Sequence, residues 1–573
     1  MGIRQICLDL HRAYELAMTY WLSKDSRYDR FRLLAVGVLT IIGVRLSIRL
    51  NYWKNDFYTA LENFNAEQVV YQVGIFGILA LAVILTTTGA FYLQKQIGIN
   101  WRRHLSEAFL SVWMTSRTYY FLHYFSDKVD NPDQRIGEDV YLFVTSTLTF
   151  LFGILQAILT FASFVMILWT LSGVVTLPVG GGIDIYGYIV WIAFAYAVFG
   201  TLLAHKIGHS LTGKNYFQQK YEADFRLHMI QIREKSYVLT GQNSEKHELQ
   251  VLKDTLQRAI VNLLAILRTE KNLTAFKSGY FQLANIFPVM VAVPLYIAHK
   301  INLGGLMQSA SAFTRLQSAL SYFVWVYDSW AEWQATVRRL SDFREHMDAV
   351  NDYRSRCMKG RILDTGDRLA WRDLTLSAPD GTELVKKASG EIRAGTSVLI
   401  VGDNGVGKTT FLKVLFGIWP WYSGTVSVPA TDEMLLLTGE VYFPKGTLAD
   451  IIAYPGADVA RAQVEEWMQG VGMGKYIAAY ETEQDWEHIL SSGERQKINL
   501  LRALVRKPRW VLLDESSGAL SVDDEQRMYE MLQRVLADTT IVSVGHRATL
   551  ERYHDEVWVL ADGVLRPRKV SAQ

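Results

Sequence analysis

A glycine-rich segment in the C-terminal half of the chain has the residue types of a phosphate-binding loop. The segment reads Gly402, Asp403, Asn404, Gly405, Val406, Gly407, Lys408, Thr409 and Thr410. It lies between an apolar, strand-like run and a helical pattern, so its glycines can turn successive backbone N–H groups inward beside a helix N-terminus. We expect Lys408 to reach the outer phosphates of a nucleotide and the Thr409 hydroxyl to ligate Mg²⁺. A glycine-rich turn without function is the alternative.

An acidic pair further along the chain argues against that alternative. The apolar run 510–513 ends in Asp514 and Glu515. A buried strand of this kind ends at the carboxyl edge of a parallel sheet, so both carboxylates are expected beside the glycine-rich loop. There Asp514 would hold Mg²⁺ through water, and Glu515 would polarise an attacking water.

A single histidine follows another predicted strand of the same region. His546 comes two residues after the run 540–544, so it is expected at an edge of the same sheet. A lone histidine in such a place can be purely structural. In this series of motifs, we interpret His546 as the residue that senses the terminal phosphate.

A third motif lies between the glycine-rich loop and the acidic pair. It reads Leu490, Ser491, Ser492, Gly493 and Glu494, and an amphipathic helix follows it. In this order the motifs resemble the ATPase domain of ABC transporters, whose signature is Leu-Ser-Gly-Gly-Gln. The resemblance implies that the signature of one copy closes on the ATP held by a second copy. A homodimer with two shared sites is therefore expected.

Three positions depart from that family's pattern. Gly439, with Glu440 beside it, stands where relatives carry a glutamine that touches Mg²⁺ and water. The aromatic residue that stacks on adenine would fall near Ala378, and Ser521 stands where an aspartate is common. Because the residues for phosphate, metal and water are all present, the domain is still expected to hydrolyse ATP.

The remainder of the chain has the composition of a membrane domain. The 573 residues are 50% hydrophobic and 20% charged, which suits a protein half in lipid and half in water. Six apolar stretches are long enough to cross about 30 Å of hydrocarbon. They cover residues 33–50, 70–93, 141–171, 186–204, 277–298 and 303–326.

The charges and cysteines give no indication of two other classes of protein. The net charge is +2 and the basic residues are not pooled in one stripe, so no nucleic-acid partner is expected. The cysteines are Cys7 and Cys357, far apart in presumed cytosolic segments, so no disulfide framework is implied.

The distribution of basic residues predicts the orientation in the membrane. Loop 172–185 carries no Lys or Arg, whereas the segments before residue 31, from 94 to 140 and from 205 to 276 are rich in them. By the positive-inside rule, both termini and the ATPase domain face the cytoplasm. The N-terminus lacks a short apolar core followed by a small-residue cleavage site, so no cleaved signal peptide is expected.

Several short runs carry a more specific resemblance. Runs 53–61, 130–136 and 303–308, with Ala312 and Phe313, are similar to half-transporters related to SbmA and BacA, as is the run 417–421. A helix-capping turn at Pro132 is the alternative for the second run. The wider group includes YddA-like bacterial proteins, the mycobacterial cobalamin and hydrophilic-solute importer, and peroxisomal acyl-CoA transporters. The resemblance implies an exporter-type fold that, in several bacterial members, takes material up.

The last predicted span carries a polar stripe. Gln308, Ser311, Arg315, Ser318 and Tyr322 recur at spacings of three and four, so they share one face of a helix. A charged side chain within the membrane must pair or meet water. We therefore expect this stripe to face a water-filled cavity between two copies of the domain.

Together these features predict a homodimeric half-transporter. We expect a transmembrane domain of six helices over residues 1–348, a linker over 349–369 and an α/β P-loop ATPase domain over 370–573. The favoured function is ATP-driven uptake of hydrophilic solutes, such as peptides or corrinoids, across a bacterial inner membrane. Export of lipid-like, acyl-CoA-like or drug-like compounds is one alternative. A proton-driven carrier with a regulatory ATPase, to which Gly439 points, is another.

Overall fold

The computed structural model describes residues 3–125, 131–172, 174–177, 183–357, 361–363 and 368–568. The chain forms two structural units. The first unit comprises Met1–Trp113 and Val129–Glu345, and the second comprises Met114–Lys128 and His346–Gln573. A short segment of the first predicted cytosolic loop therefore belongs with the ATPase region, although it is more than two hundred residues away in sequence.

Long helices make up most of the N-terminal part of the chain. In chain order the helices are α1 (Ile3–Trp21), α2 (Arg27–Glu62), α3 (Ala66–Met114), α4 (Thr118–Phe125), α5 (Pro132–Gln134), α6 (Val140–Leu171), α7 (Tyr188–Gly208), α8 (Ser210–Glu234), α9 (Ser236–Gly241), α10 (Glu245–Ile297) and α11 (Leu303–Cys357). Strands β1 (Val174–Leu177) and β2 (Ile183–Tyr186) pair antiparallel between α6 and α7.

Five helical segments of the described chain are long and apolar enough to cross a membrane. They are Arg27–Glu62, Ala66–Met114, Pro132–Leu171, Tyr188–Glu234 and Glu245–Ile297. They contain the first five predicted spans, apart from the start of the fourth and the last residue of the fifth. The sixth, 303–326, lies at the start of α11, which is long enough but is not among the five. Its polar stripe makes that stretch less apolar, so the predicted count of six is not reproduced by length and composition.

The helix bounds can be compared with the ends of the predicted spans and linker. The first span was predicted to end at residue 50, but α2 continues to Glu62, which keeps Lys54 within the helix. The fourth was predicted to begin at Tyr186, which instead ends β2, because Gly187 turns the chain with a left-handed φ of 67°. A helix begins at Pro132, as the helix-capping alternative for run 130–136 predicts, and Asp130 lies outside the described residues. Residues 349–357 of the predicted linker continue α11.

Polar contacts tie α2 to α11 in the first unit. The Nδ2 atom of Asn51 donates to the carbonyl oxygen of Gln308 at 3.0 Å. At the C-terminal end of α2, the Glu62 carboxylate accepts from the backbone N–H of Leu303, the first residue of α11, at 3.0 Å. Because such groups are costly to leave unpaired within a membrane, these contacts fix how the two helices face each other.

The second unit is an α/β domain. Its strands are β3 (Arg361–Leu363), β4 (Arg368–Ser377), β5 (Glu383–Arg393), β6 (Val398–Val401), β7 (Tyr422–Val428), β8 (Met434–Thr438), β9 (Trp510–Asp514), β10 (Thr540–Val544), β11 (Glu556–Ala561) and β12 (Val564–Arg568). Its helices after α11 are α12 (Lys408–Phe416), α13 (Leu448–Ala453), α14 (Arg461–Gly470), α15 (Trp486–Ile489), α16 (Ser492–Arg506) and α17 (Val522–Val535).

A six-stranded sheet organises this domain. Its order is β12-β11-β6-β10-β9-β8, and all neighbouring pairs are parallel except β11 with β12. The strand β9 is buried along its whole length, which explains its unbroken apolar sequence. A second sheet, ordered β3-β7-β4-β5, contributes Trp371 to the core that it shares with Phe411 and Trp558.

Candidate functional site

The register of the parallel strands brings the predicted ATPase residues to one edge. Asp514, at the end of β9, is paired with Thr438 on β8 and with Val544 on β10. Val544 is in turn paired with Ile400 on β6. The residues that follow these strands therefore meet at one carboxyl edge, where α/β sheets bind their ligands. This edge collects the glycine-rich loop, Gly439, Glu515 and His546, which are scattered over about 140 residues of sequence.

The glycine-rich loop connects β6 to α12, as the sequence predicted. Gly405 and Gly407 adopt left-handed φ angles of 83° and 106°, which residues with a Cβ rarely adopt. The Nζ atom of Lys408 donates to the carbonyl oxygens of Gly402 at 2.9 Å and Asp403 at 2.7 Å. These two hydrogen bonds hold the ammonium group over the loop, where a bound phosphate would contact it.

Burial lowers the pKa of Lys408, while the nearby carboxylates of Glu515, Asp403 and Asp514 oppose that shift. These three acids therefore place negative charge near the ammonium group. A bound phosphate would add further favourable charge at the same place, because it would stabilise the protonated amine.

Thr409 and Asp514 form the oxygen-rich part of the site. The Thr409 hydroxyl donates to Oδ1 of Asp514 at 2.8 Å. Burial raises the pKa of Asp514, and this hydrogen bond opposes the rise. One hydroxyl and one carboxylate fit Mg²⁺, which keeps waters and substrate phosphates as its other ligands. Among the described residues, no group of three or more His, Cys, Asp or Glu could hold a metal ion.

Glu515 and His546 lie together at the open edge of the site. The Nε2 atom of His546 is 3.2 Å from Oε1 of Glu515, and both side chains are exposed. Glu515 adopts a φ of 50°, which is uncommon for a residue with a Cβ. This conformation begins the turn in which the backbone N–H of Gly518 donates to the Glu515 carbonyl oxygen at 3.2 Å.

The signature residues form the start of α16. Ser491 is the N-cap and accepts from the backbone N–H of Glu494, and the Glu494 carboxylate accepts from the backbone N–H of Ser491 at 2.9 Å. Glu494 also pairs with Lys475 at 2.8 Å. Burial opposes its ionisation, but hydrogen bonds from Lys475 and Ser491 lower the pKa of Glu494 to about 2. None of these contacts reaches the glycine-rich loop of the same chain.

A buried acid links the segments on either side of the site, which the sequence did not reveal. Glu525 on α17 is fully buried and accepts from Ser517 at 3.0 Å and from Thr549 at 2.7 Å. It also accepts from Arg547 at 3.3 Å, and Arg547 donates to the carbonyl oxygens of Gly518 and Leu520 as well. The turn after Glu515 is thereby tied to the segment that carries His546. The sequence signal for this link was weak: Arg547, which donates to Glu525, directly follows His546.

The departures from the family pattern have clear local structures. A Cβ atom added at Gly439 would lie 3.4 Å from the Glu515 carbonyl oxygen and 3.8 Å from Nε2 of Gln496, which are ordinary contacts. A larger side chain can therefore begin at this position without strain. Ala378 lies in a tight turn after β4, where its backbone N–H donates to the carbonyl oxygen of Thr382 at 2.8 Å.

Comparisons with known proteins decide the family. Residues 18–297 match the family "ABC transporter transmembrane region 2", and residues 385–518 match the family "ABC transporter". An uncharacterized ABC transporter ATP-binding protein of Haemophilus influenzae is 32% identical over 92% of this chain and 88% of its own. The inner membrane ABC transporter ATP-binding protein YddA of Escherichia coli is 30% identical over 96% of both chains. The chain belongs to the ABC transporters.

This ABC transporter is a half-transporter of the YddA-like type, since one chain carries one membrane region and one ATPase region. Its fold is of the exporter type. The structure of a bacterial Atm1-family ABC exporter with ATP bound superimposes with a TM-score of 0.73, at 18% identity, over 94% of each chain. The ATPase domain binds ATP and hydrolyses it in support of transport.

Within the second unit of the transporter, α4 packs on the segment that follows α12. The ring of Tyr124 lies 5.5 Å from that of Trp419 and 5.6 Å from that of Trp421, edge to face in both cases. The guanidinium of Arg117 lies 4.8 Å from the ring centre of Phe416. The sequence indicated run 417–421 only as a feature shared with relatives. The structure shows that Trp419 and Trp421 of this run pack against Tyr124 of α4.

The polar stripe of α11 is divided in the structure. Ser311, Arg315 and Ser318 line a cavity of about 410 Å³ in the first unit. Gln308 is buried, and its amide has no hydrogen-bond partner among the described residues. Tyr322 lies elsewhere, with its hydroxyl 3.5 Å from the carbonyl oxygen of Thr149. The structure therefore brings together three of the five predicted residues.

The opposite wall of this cavity comes from α2, through residues that the sequence analysis did not single out. Ser47, Asn51 and Lys54 line it, and the Nζ atom of Lys54 donates to the Ser311 hydroxyl at 3.0 Å. Their spacing of four and three residues marks one helical face. The signal was hidden because the first span was predicted to end at residue 50, before Lys54.

Proposed function

We propose that this half-transporter works as a homodimer and uses ATP to take hydrophilic solutes up across a bacterial inner membrane. The solutes would be peptides, corrinoid-like molecules or other polar compounds. The polar cavity between α2 and α11 carries this proposal. Hydroxyl, amide and cationic groups line it, and such groups are costly to keep beside lipid. A polar solute would take the place of water as the hydrogen-bond partner of these lining groups.

The ATPase roles follow from the shared strand edge. We assign phosphate binding to Gly402, Asp403, Asn404, Gly405, Val406, Gly407, Lys408, Thr409 and Thr410. Mg²⁺ would be held by Thr409 and Asp514 and would neutralise phosphate charge. Glu515 would orient and deprotonate the attacking water, because its carboxylate is exposed at the end of β9. His546, 3.2 Å away, would hold that carboxylate and contact the terminal phosphate.

The signature supports the proposed dimer. Ser491 and Glu494 cap α16, and Glu494 also pairs with Lys475. None of these contacts is with the glycine-rich loop of the same chain. We infer that the signature instead contacts the nucleotide of a second copy, through Ser491, Ser492, Gly493 and Glu494. Each ATP would then lie between two chains. The contact of α4 with Trp419 and Trp421 would transmit the closing of this interface.

The basic segments of the sequence support an orientation with both termini and the ATPase domain in the cytoplasm. Uptake then means movement toward the side that holds ATP.

Two observations support other functions. The exporter-type fold suits export of lipid-like, acyl-CoA-like or drug-like compounds. Gly439, in place of glutamine, suits a proton-driven carrier whose ATPase only regulates.

Transport in vesicles would separate these functions. The purified full-length chain is placed in proteoliposomes preloaded with a labelled solute, and ATP with Mg²⁺ is added outside, where it reaches only molecules whose ATPase faces out. ATP-dependent loss of a peptide or corrinoid from the lumen indicates uptake. ATP-dependent accumulation in the lumen indicates export and contradicts the proposal. Movement that needs a proton gradient and persists in Glu515→Gln indicates the proton-driven carrier.

A further inference from the structure

Two cations converge in the cavity between α2 and α11. Lys54 and Arg315 both line it, one from each helix. The ammonium group of Lys54 is turned toward α11, since it donates to the Ser311 hydroxyl at 3.0 Å. Lys54 therefore does not extend along the helix surface toward an aqueous interface, as lysines near membrane boundaries commonly do.

The described lining of the cavity adds no carboxylate to this pair. The described lining of the cavity contains Lys54 and Arg315 but neither Asp nor Glu. Two like charges in one partly enclosed space repel each other, and each costs free energy when it leaves water. Their convergence is therefore unfavourable unless water or an anion joins them.

The rest of the lining suits an anion that carries a larger organic body. Ser311 and Ser318 supply hydroxyl groups near the cations. On one side, Trp53 offers an aromatic wall, fixed by its Nε1 donation to the carbonyl oxygen of Gln72 at 2.8 Å and by contact with Phe76 at 4.9 Å between ring centres. The cavity thus combines a cationic end with an apolar face, within about 410 Å³.

We propose that Lys54 and Arg315 form an oxyanion-binding subsite that holds a carboxylate or phosphate group of the transported solute. Charge-assisted hydrogen bonds from the two side chains would bind the anion, and the anion would remove their mutual repulsion. This inference rests on the proposed transport function, because it names the kind of solute that the same cavity accepts. An anionic lipid headgroup offers the same oxyanion chemistry.

A cysteine in the cavity can report its charge without transport or a known solute. In the full-length chain with Cys7→Ser and Cys357→Ser, Thr314→Cys places a thiol in the cavity lining. The protein, in phosphatidylcholine nanodiscs, is treated separately with an anionic sulfonatoethyl and a cationic trimethylammonioethyl methanethiosulfonate. The ratio of the two modification rates measures the local potential.

The variants Lys54→Met and Arg315→Gln each remove one positive charge. In water, Coulomb's law gives a change of about threefold in each rate for a unit charge at a separation of about 6 Å, in opposite directions for the two reagents, so the ratio should fall about tenfold. Lys54→Arg should keep the ratio. Arg45→Gln is the matched control, because nine residues place Arg45 about 180° around α2 from Lys54. Equal ratios in Lys54→Met, Arg315→Gln and Arg45→Gln would overturn the subsite.

Protection identifies the occupant. Slower labelling by the anionic reagent when glutarate is added, at constant ionic strength, supports a soluble oxyanion. Slower labelling only when phosphatidylglycerol is included in the nanodiscs assigns the subsite to a lipid headgroup and overturns its role in solute binding. These rates do not depend on ATP, so a failure of the vesicle transport test would leave them unchanged, and the two proposals fail separately.

Discussion

The Nε2 atom of His546 lies 3.2 Å from Oε1 of Glu515. These residues are 31 positions apart, and the parallel pairing of β9 with β10 brings them to the same edge. Each side chain is exposed, so the pair can open to admit water and a phosphate. In the proposed mechanism the imidazole would orient the carboxylate that deprotonates water, so Glu515 is the most informative residue to change.

Glu515→Gln should leave ATP binding nearly intact and lower the steady-state ATPase rate about 10²–10⁴-fold, because the amide cannot accept the proton of the attacking water. Nucleotide binding and phosphate release are the measurements. Glu466→Gln makes the same chemical change at an exposed position outside the site and should be neutral. ATPase activity close to wild type in Glu515→Gln would contradict its assigned role.

Lys408→Ala should weaken nucleotide binding itself. The substitution removes a cation that lies over the loop, and a hydrogen bond to a charged group contributes about 1.5–3 kcal/mol. That free energy corresponds to a loss of about tenfold to a hundredfold in ATP affinity. Lys386→Ala, at an exposed position, is the control. Unchanged affinity, measured by equilibrium binding, would count against the phosphate-binding loop.

Gly439→Gln should raise ATPase turnover, or its stimulation by solute, if the missing side chain limits communication between the membrane region and the ATPase. The structure accepts a Cβ there at ordinary contact distances, so the variant should fold. Solute-stimulated ATPase activity is the measurement. An unchanged rate, together with loss of stimulation in Glu440→Ala, would show that Glu440 already supplies the contact.

Tyr124→Ala should reduce the amount of solute moved for each ATP hydrolysed. It removes two edge-to-face contacts, each contributing about 0.5–1.5 kcal/mol. Basal ATPase activity should persist, because Tyr124 is not among the residues at the strand edge. Tyr124→Phe keeps the ring and should retain coupling. Equal loss of transport and ATPase activity in Tyr124→Ala would instead indicate a general folding defect.

Arg315→Ala should fold and reach the membrane while changing transport. The residue is exposed in the cavity, so the free energy of unfolding should change by less than about 0.5 kcal/mol. Arg339→Ala is the contrasting variant, because Arg339 donates to both oxygens of the buried Asp139 at 2.8 and 2.6 Å. Its loss should cost about 1.5–3 kcal/mol, because hydrogen bonds to a charged group are removed while Arg135 still donates to Asp139 at 2.7 Å. A melting temperature for Arg315→Ala as low as that of Arg339→Ala would refute the cavity position.

The sequence by itself determined the ATPase motifs and most of the membrane helices. The phosphate-binding loop is contiguous, and its glycines, Lys408 and the start of α12 follow from local backbone rules. Strand β9 is buried on both faces, so its apolar run and terminal acids marked the sheet edge in advance. Long apolar stretches likewise identified five helices from composition alone.

Only the tertiary structure decided which side chains meet. Lys54 lies beyond the first predicted span, which ends at residue 50. The helix nevertheless continues to Glu62, since its polar groups find partners on α11. The contact of Tyr124 with Trp419 joins positions about 300 residues apart, and no periodic pattern encodes a pairing over that distance. The same holds for Glu525, whose burial among Ser517, Arg547 and Thr549 depends on how α17 packs.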